Sequence, residues 1–191
     1  VLNLLPLFFH VNHPLLPGYV SGSTPAGLSG YEPDAQTLAE AQRLTRAFSY
    51  KTRHGNPPRP IHGLFLMGSL GTLAQAEDSD MDLWVCHASH LSEDELAELQ
   101  KKCRLLEEWA NSQGAEAHLF LIEPARFVQG DRDAQLSSED CGTTQHYLLL
   151  DEFYRTALWL AGRTPLWWLV PVYEEKRYAE FTHTLLSKRF I

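Results

Sequence analysis

Hydrophobic and polar positions along this chain fall into blocks of two different periods. Ile61 to Met67 is a short apolar run ending at Gly68, which predicts a buried strand. Met81 to Cys86 predicts a second, with Met81, Leu83 and Val85 on one side of the alternation and the acids Asp80 and Asp82 on the other. Glu116 to Ile122 alternates as a third, with Glu116, His118, Phe120 and Ile122 sharing a face, and the very apolar Leu166 to Val170 predicts a fourth. Helical spacing runs from Asp34 to Tyr50, placing Leu38, Ala41, Leu44, Thr45 and Phe48 inward. Ser92-Glu-Asp-Glu95 is a capping box that opens a helix reaching Ser112, with Gly114 as its stop. Thr143 or Thr144 caps another that runs through Leu160 to Gly162, its Leu148-Leu149-Leu150 run in the core, and Glu174 to Lys188 forms the last.

Between these blocks the chain is punctuated by breakers. Residues 14–33 are rich in Pro and Gly and read as an irregular surface segment, Asn56-Pro-Pro-Arg-Pro60 rules out helix, and Gly130 to Cys141 is a polar loop. The order helix–β–β–α–β–α–β–α indicates an α/β (α+β) domain with a small mixed sheet flanked by helices. Residues 1–60 read as a helical and irregular segment packed on a core formed by 61–191. A chain of 191 residues is long enough for one such domain to bury a real core.

Charge narrows the function. A net charge of −8, with no Lys/Arg run longer than two, argues against a nucleic-acid binder, which needs a basic surface to displace counterions. Three cysteines, Cys86, Cys103 and Cys141, lack metal-type spacing and read as free thiols of a cytoplasmic protein. Val1 to Val20 is apolar, but Pro6, Pro14 and Pro17 interrupt it, so neither a signal peptide nor a membrane span is expected there. The first residue is Val and the chain stops at Lys-Arg-Phe-Ile, which suggests a piece of a longer protein.

The chemistry concentrates around Asp80 and Asp82. On a strand their Cα atoms lie about 6.6 Å apart on one face, a span that two hard cations bridge through shared oxygens. Gly68-Ser69 follows an apolar run and offers a tight turn whose backbone N–H groups can approach a phosphate. Acids for metal and a Gly-Ser turn for phosphate describe a site for Mg-nucleotide chemistry. A nucleotidyl-transfer site places two Mg²⁺ about 3.5–4 Å apart. Glu116, heading the next strand, is the candidate third acid. Asp151 and Arg155 are spaced to pair on a helix, leaving Arg155 between that role and a phosphate contact. Gln145 and His146 stand near a helix start, open between reading the base or ribose and capping. His118 shares the face of Glu116 and is open between relaying a proton and packing. His87 reads as structural, and Trp84, Trp167 and Trp168 read as core rather than as an adenine-stacking platform.

Gly-Ser, a gap, Asp-x-Asp and a later carboxylate make the signature of the nucleotidyltransferase superfamily. His13-Pro-Leu-Leu-Pro-Gly-Tyr19, Met67-Gly-Ser69, Ser79-Asp-Met-Asp-Leu-Trp-Val-Cys-His87, Glu139-Asp-Cys-Gly-Thr-Thr-Gln-His146 and Leu148-Leu-Leu-Asp-Glu-Phe-Tyr-Arg-Thr-Ala157 together resemble the catalytic region of class I, enterobacterial-type adenylate cyclases. The resemblance runs from about residue 3 to residue 175. It implies a nucleotidyltransferase-like (DNA polymerase beta-like) fold that converts ATP to 3′,5′-cyclic AMP and pyrophosphate. It further implies two Mg²⁺, with Mn²⁺ as a substitute, held by Asp80 and Asp82, and Gly68 and Ser69 at the phosphates; Glu116 is the candidate third ligand and catalytic carboxylate read from the strand order. A C-terminal regulatory region of the same polypeptide, and regulatory proteins, are the implied partners. The third carboxylate is Asp in many nucleotidyltransferases, so Glu116 departs from the pattern by a longer arm. Two other readings stay open: transfer of AMP to a separate acceptor, and a non-catalytic nucleotide-sensing domain.

Overall fold

The computed structural model describes residues 1–52, 59–67, 80–128 and 142–187, the side chains of Val128 and of 142–148 excepted. Among the described residues four strands form one mixed sheet: β1 (Ile61–Met67), β2 (Met81–His87), β3 (Ala117–Ile122) and β4 (Leu158–Gly162), in the order β3-β2-β1-β4. β1 is antiparallel to both of its neighbours, whereas β2 and β3 are parallel. A parallel pair needs a crossover, and the helix between β2 and β3 supplies it. The helices are α1 (Leu5–His10), α2 (Ala35–Leu44), α3 (Glu93–Ser112), α4 (Pro124–Val128), α5 (Gly142–Thr156) and α6 (Tyr178–Ser187).

The two faces of the sheet are covered differently. On one, Leu64 and Leu66 of β1, Leu83 and Val85 of β2 and Leu119 of β3 pack against α3 through Leu99, Cys103 and Leu106. α1 is inserted into the same layer, with Leu5, Leu7, Phe8 and Phe9 wholly buried and Phe8 meeting Trp109 edge-on at 5.0 Å. On the other face Phe65, Met67, Trp84, Cys86 and Ile122 pack with Phe127 of α4 and with α5, chiefly Phe153. The Trp84, Phe153 and Trp168 rings lie nearly parallel, at 5.4 Å and 5.8 Å between successive centroids.

The three leading strands and the capped helix agree with the sequence pattern. Ser92 accepts from the Glu95 N–H while the Glu95 carboxylate accepts from the Ser92 N–H, and Gly114 ends α3 at φ 78°. Elsewhere the structure corrects it. The helix expected over Asp34 to Tyr50 stops at Leu44, with Asp34 as its N-cap. Thr45 turns extended and donates its hydroxyl to the Leu15 carbonyl, which swings Phe48 into the core and leaves Leu44 exposed. Residues 1–20, expected as broken apolar chain, contain the buried α1, which Pro6 starts rather than breaks because it sits in the first turn.

The helix expected to run through Leu160 ends at Thr156, and Leu158–Gly162 is a strand. Pairing with β1 satisfies backbone groups that would otherwise form a bare edge. Gly162 is required there, because at φ 101° a Cβ would sit 2.5 Å from the Gly63 Cα and the His62 carbonyl oxygen. The strand expected at Leu166 to Val170 is a 3-10 turn over Leu166–Leu169, held between Pro165 and Pro171. Trp168 Nε1 donates to the Tyr154 carbonyl at 3.1 Å and so caps the end of α5. The last helix begins at Tyr178, after a 3-10 segment over Val172–Arg177. Lys188, Cys141, Gly130 to Cys141, residues 56–58 of the proline-rich loop and the side chains of Thr143, Thr144 and Leu148 lie outside the described residues.

Candidate active site

Alternation along β2 decides where its acids point. Met81, Leu83 and Val85 belong to the aliphatic face, so Asp82, Trp84 and Cys86 belong to the aromatic one. The parallel register then sets Asp82 opposite His118, Trp84 opposite Phe120 and Met81 opposite Ala117. Just before these strands, the Met81 N–H donates to the Glu116 carbonyl at 3.0 Å, which brings Glu116 alongside Asp80.

The result is a cluster at the head of β2 and β3. One ligand atom from each of Asp80, Glu116 and His118 lies within 4.8 Å of the other two. His118 Nε2 is 3.7 Å from Glu116 Oε1. All three residues are exposed, and Asp82, half-buried, stands beside the group without belonging to it. Burial raises the Asp82 carboxyl above its usual range and the Asp80 charge adds to this, while His118 opposes it. Two carboxylates and an imidazole form an oxygen-rich donor set suited to a divalent cation. The raised Asp82 carboxyl marks a place where a positive charge relieves desolvation and repulsion together.

Strand positions fix these groups in a way loops would not. Met67, register partner of Asp82, is followed in sequence by Gly68, so β1 runs out beside the acids. Gly68 and Ser69 themselves lie outside the described residues, as do the side chains of Gln145 and His146, whose backbone is in the first turns of α5. Arg155 pairs with Asp151 at 2.8 Å on the exposed side of α5. His87 is buried, with Nδ1 3.1 Å from the Ala88 carbonyl oxygen. Trp84 is core and Trp168 is packed into the ring stack, but Trp167, expected in the core, is exposed because its neighbour Trp168 is the one turned over the sheet.

His118 is the member that sequence reasoning left undecided. The available signal was its place two residues after Glu116, but only the parallel register with β2 puts it against the acids. A cleft of about 290 Å³, lined in part by His10, Asn12, Glu32, Tyr50 and Arg59, opens instead near the start of β1. That strand end pairs with His87, away from Asp82.

Fold and site together define a small mixed-sheet domain with an acidic, cation-competent group at one strand end. Comparison with known proteins gives its family. The Adenylate cyclase NT domain matches residues 1–168, and this chain belongs to that family. Adenylate cyclase of Proteus mirabilis is 44% identical over 190 residues, covering 98% of this chain and 22% of that protein. Those of Escherichia coli K12 and Yersinia pestis are 45% and 42% identical, with the same coverage. The chain therefore spans about a fifth of the length of these curated relatives. A solved toxin–antitoxin structure with AMP-PNP aligns over 69% of this chain and 78% of its own, at 14% identity and a TM-score of 0.32. Among the described residues no helix is long and apolar enough to cross a membrane.

Proposed function

We propose that this domain carries the chemistry of an adenylate cyclase, converting ATP to 3′,5′-cyclic AMP and pyrophosphate in the cytoplasm. The observation that supports it most is the convergence of Asp80, Glu116 and His118 within 4.8 Å, with Asp82 adjacent, in a chain of the adenylate cyclase N-terminal family. Residues 61–191 form the catalytic core and residues 1–60 support it. Asp80, Asp82 and Glu116 hold two Mg²⁺, with Mn²⁺ as a substitute. When bound, these ions neutralise the triphosphate and acidify the ribose hydroxyl.

The reaction is intramolecular: the ATP 3′-oxygen bonds to the α-phosphorus as the bond to the β-phosphate bridging oxygen breaks. No acceptor pocket is needed, and the protein's task is to keep the ribose folded over the α-phosphate. Glu116 or His118 Nε2 takes the proton from the 3′-hydroxyl, since both side chains are exposed at the head of the strands. Gly68 and Ser69 bind the phosphates through backbone N–H groups. Gln145 and His146 orient base or ribose, and Arg155 reaches a phosphate when it leaves Asp151. A C-terminal region of the full polypeptide, and proteins that act on it, regulate the site.

The test is incubation of the full-length polypeptide with Mg-ATP and no acceptor. Chromatographic detection of cyclic AMP, lost in Asp80→Asn, supports the reading. ATP left intact, or AMP found attached to an added acceptor with no cyclic product, overturns it.

A further inference from the structure

One side of the molecule leaves uncovered the kind of apolar surface that a folded chain ordinarily buries. β4 is an edge strand, and Trp159 stands on the face of its register partner Phe65 yet is half exposed. Trp168 inserts over Phe65 on that face, with ring centroids 6.0 Å apart, which leaves the flanking Trp167 and Leu169 outward. Val172 and Tyr173 follow, at 81% and 82% exposed. The charged run Glu174-Glu175-Lys176-Arg177 borders them. Outward aromatic and aliphatic side chains, followed in sequence by a charged run, have the make-up of an interface.

Two further findings say what covers it. The family match covers residues 1–168 and ends inside the turn that carries Trp167 and Trp168, so the exposed residues lie at and just past its end. The relatives run more than four times as long as this chain, which covers 22% of them. We propose that Trp159, Trp167, Leu169, Val172 and Tyr173 form the face on which the C-terminal region of the full-length polypeptide docks. That seam joins the far region to β4, and through β4 and β1 to the strand that carries Asp82.

Hydroxyl-radical footprinting read by mass spectrometry tests this, comparing the full-length polypeptide with the 191-residue chain. Trp167 and Tyr173 should oxidise several-fold more slowly in the full-length polypeptide, while exposed Leu15 and Leu44 react equally in both. Equal rates at Trp167 and Tyr173 overturn the proposal. So does protection in the 191-residue chain that grows with its concentration, since a second copy would then be the occupant. The double variant Val172→Asp, Tyr173→Asp changes only outward side chains, so the fold survives it. In the full-length polypeptide it should return Trp167 to the reactivity it has in the shorter chain. Trp167 still protected in that variant overturns the proposal as well.

Discussion

The two faces of the sheet differ in closure, and the same strands build both. On the aliphatic face α1 and α3 cover Leu64, Leu83, Val85 and Leu119 so fully that Leu64, Leu83 and Val85 retain no exposure. On the aromatic face the stack of Trp84, Phe153 and Trp168 covers the middle of the sheet, while Asp82 and His118, at its head, stay within reach of solvent. One residue's displacement along β2 thus separates Leu83 in a sealed core from Asp82 at a candidate site. A closed face fixes the backbone; the open end of the other face spends that rigidity on holding charges close together.

Breaking each face should fail in a different currency. Phe8→Ala removes a wholly buried ring from the closed face and should destabilise the domain by about 3–5 kcal/mol in urea unfolding, with activity per folded molecule retained. Asp80→Asn, at the open end, should lower cyclic AMP formation by about 10²–10³-fold, on the scale of losing one transition-state charge contact, with an unchanged unfolding midpoint. If the alanine variant lost activity without stability, or the asparagine variant lost stability without activity, the assignment of the faces would be reversed.

The closed face also holds an oddity that sharpens the comparison. Lys102 of α3 is 1% exposed and donates to the Gly18 carbonyl at 3.3 Å, with burial pushing its ammonium down to about 8. Below pH 8 the lysine is charged in both folded and unfolded chains, so the burial penalty is fully present. Between about 8 and the unfolded value of 10.5 only the unfolded chain stays protonated, and stability rises with pH. Lys102→Met should therefore stabilise the domain at pH 7 by about 2–3 kcal/mol, an advantage that fades by pH 10.5. Unfolding of both proteins across that range measures it, and a constant difference would contradict the burial argument.

How much of this could be read from the chain depends on which contacts define each element. β1, β2, β3 and α3 were legible because alternation and the Ser92–Glu95 capping box are local signals. Leu158–Gly162 was not, because nothing in a five-residue apolar run says whether it extends a helix or fills the open edge of β1. Leu166–Leu169 looked like a strand for the same reason, until two prolines and the Trp168 bond to Tyr154 made it a turn. The acids were legible as Asp-x-Asp, whereas His118 joined them only through a parallel register that no single strand reveals.

The smallest expected effect is the most diagnostic of the open end. Asp82 is half-buried, and burial raises its carboxyl, with His118 opposing the rise and the Asp80 charge adding a smaller push upward. A raised folded value means the ionised group costs stability at neutral pH, a cost that is relieved as pH falls through that value. Asp82→Asn should therefore stabilise the metal-free domain slightly, by up to about 0.5 kcal/mol once solvent screening is allowed for. With millimolar Mg²⁺ the sign of the comparison inverts. The unchanged protein gains stability by mass action because the ion binds the folded chain, and the asparagine variant gains less. Thermal unfolding of both proteins with and without Mg²⁺ reads the crossing directly. Parallel curves would mean that Asp82 is merely a poorly solvated acid at a strand end and that the cation chemistry rests elsewhere.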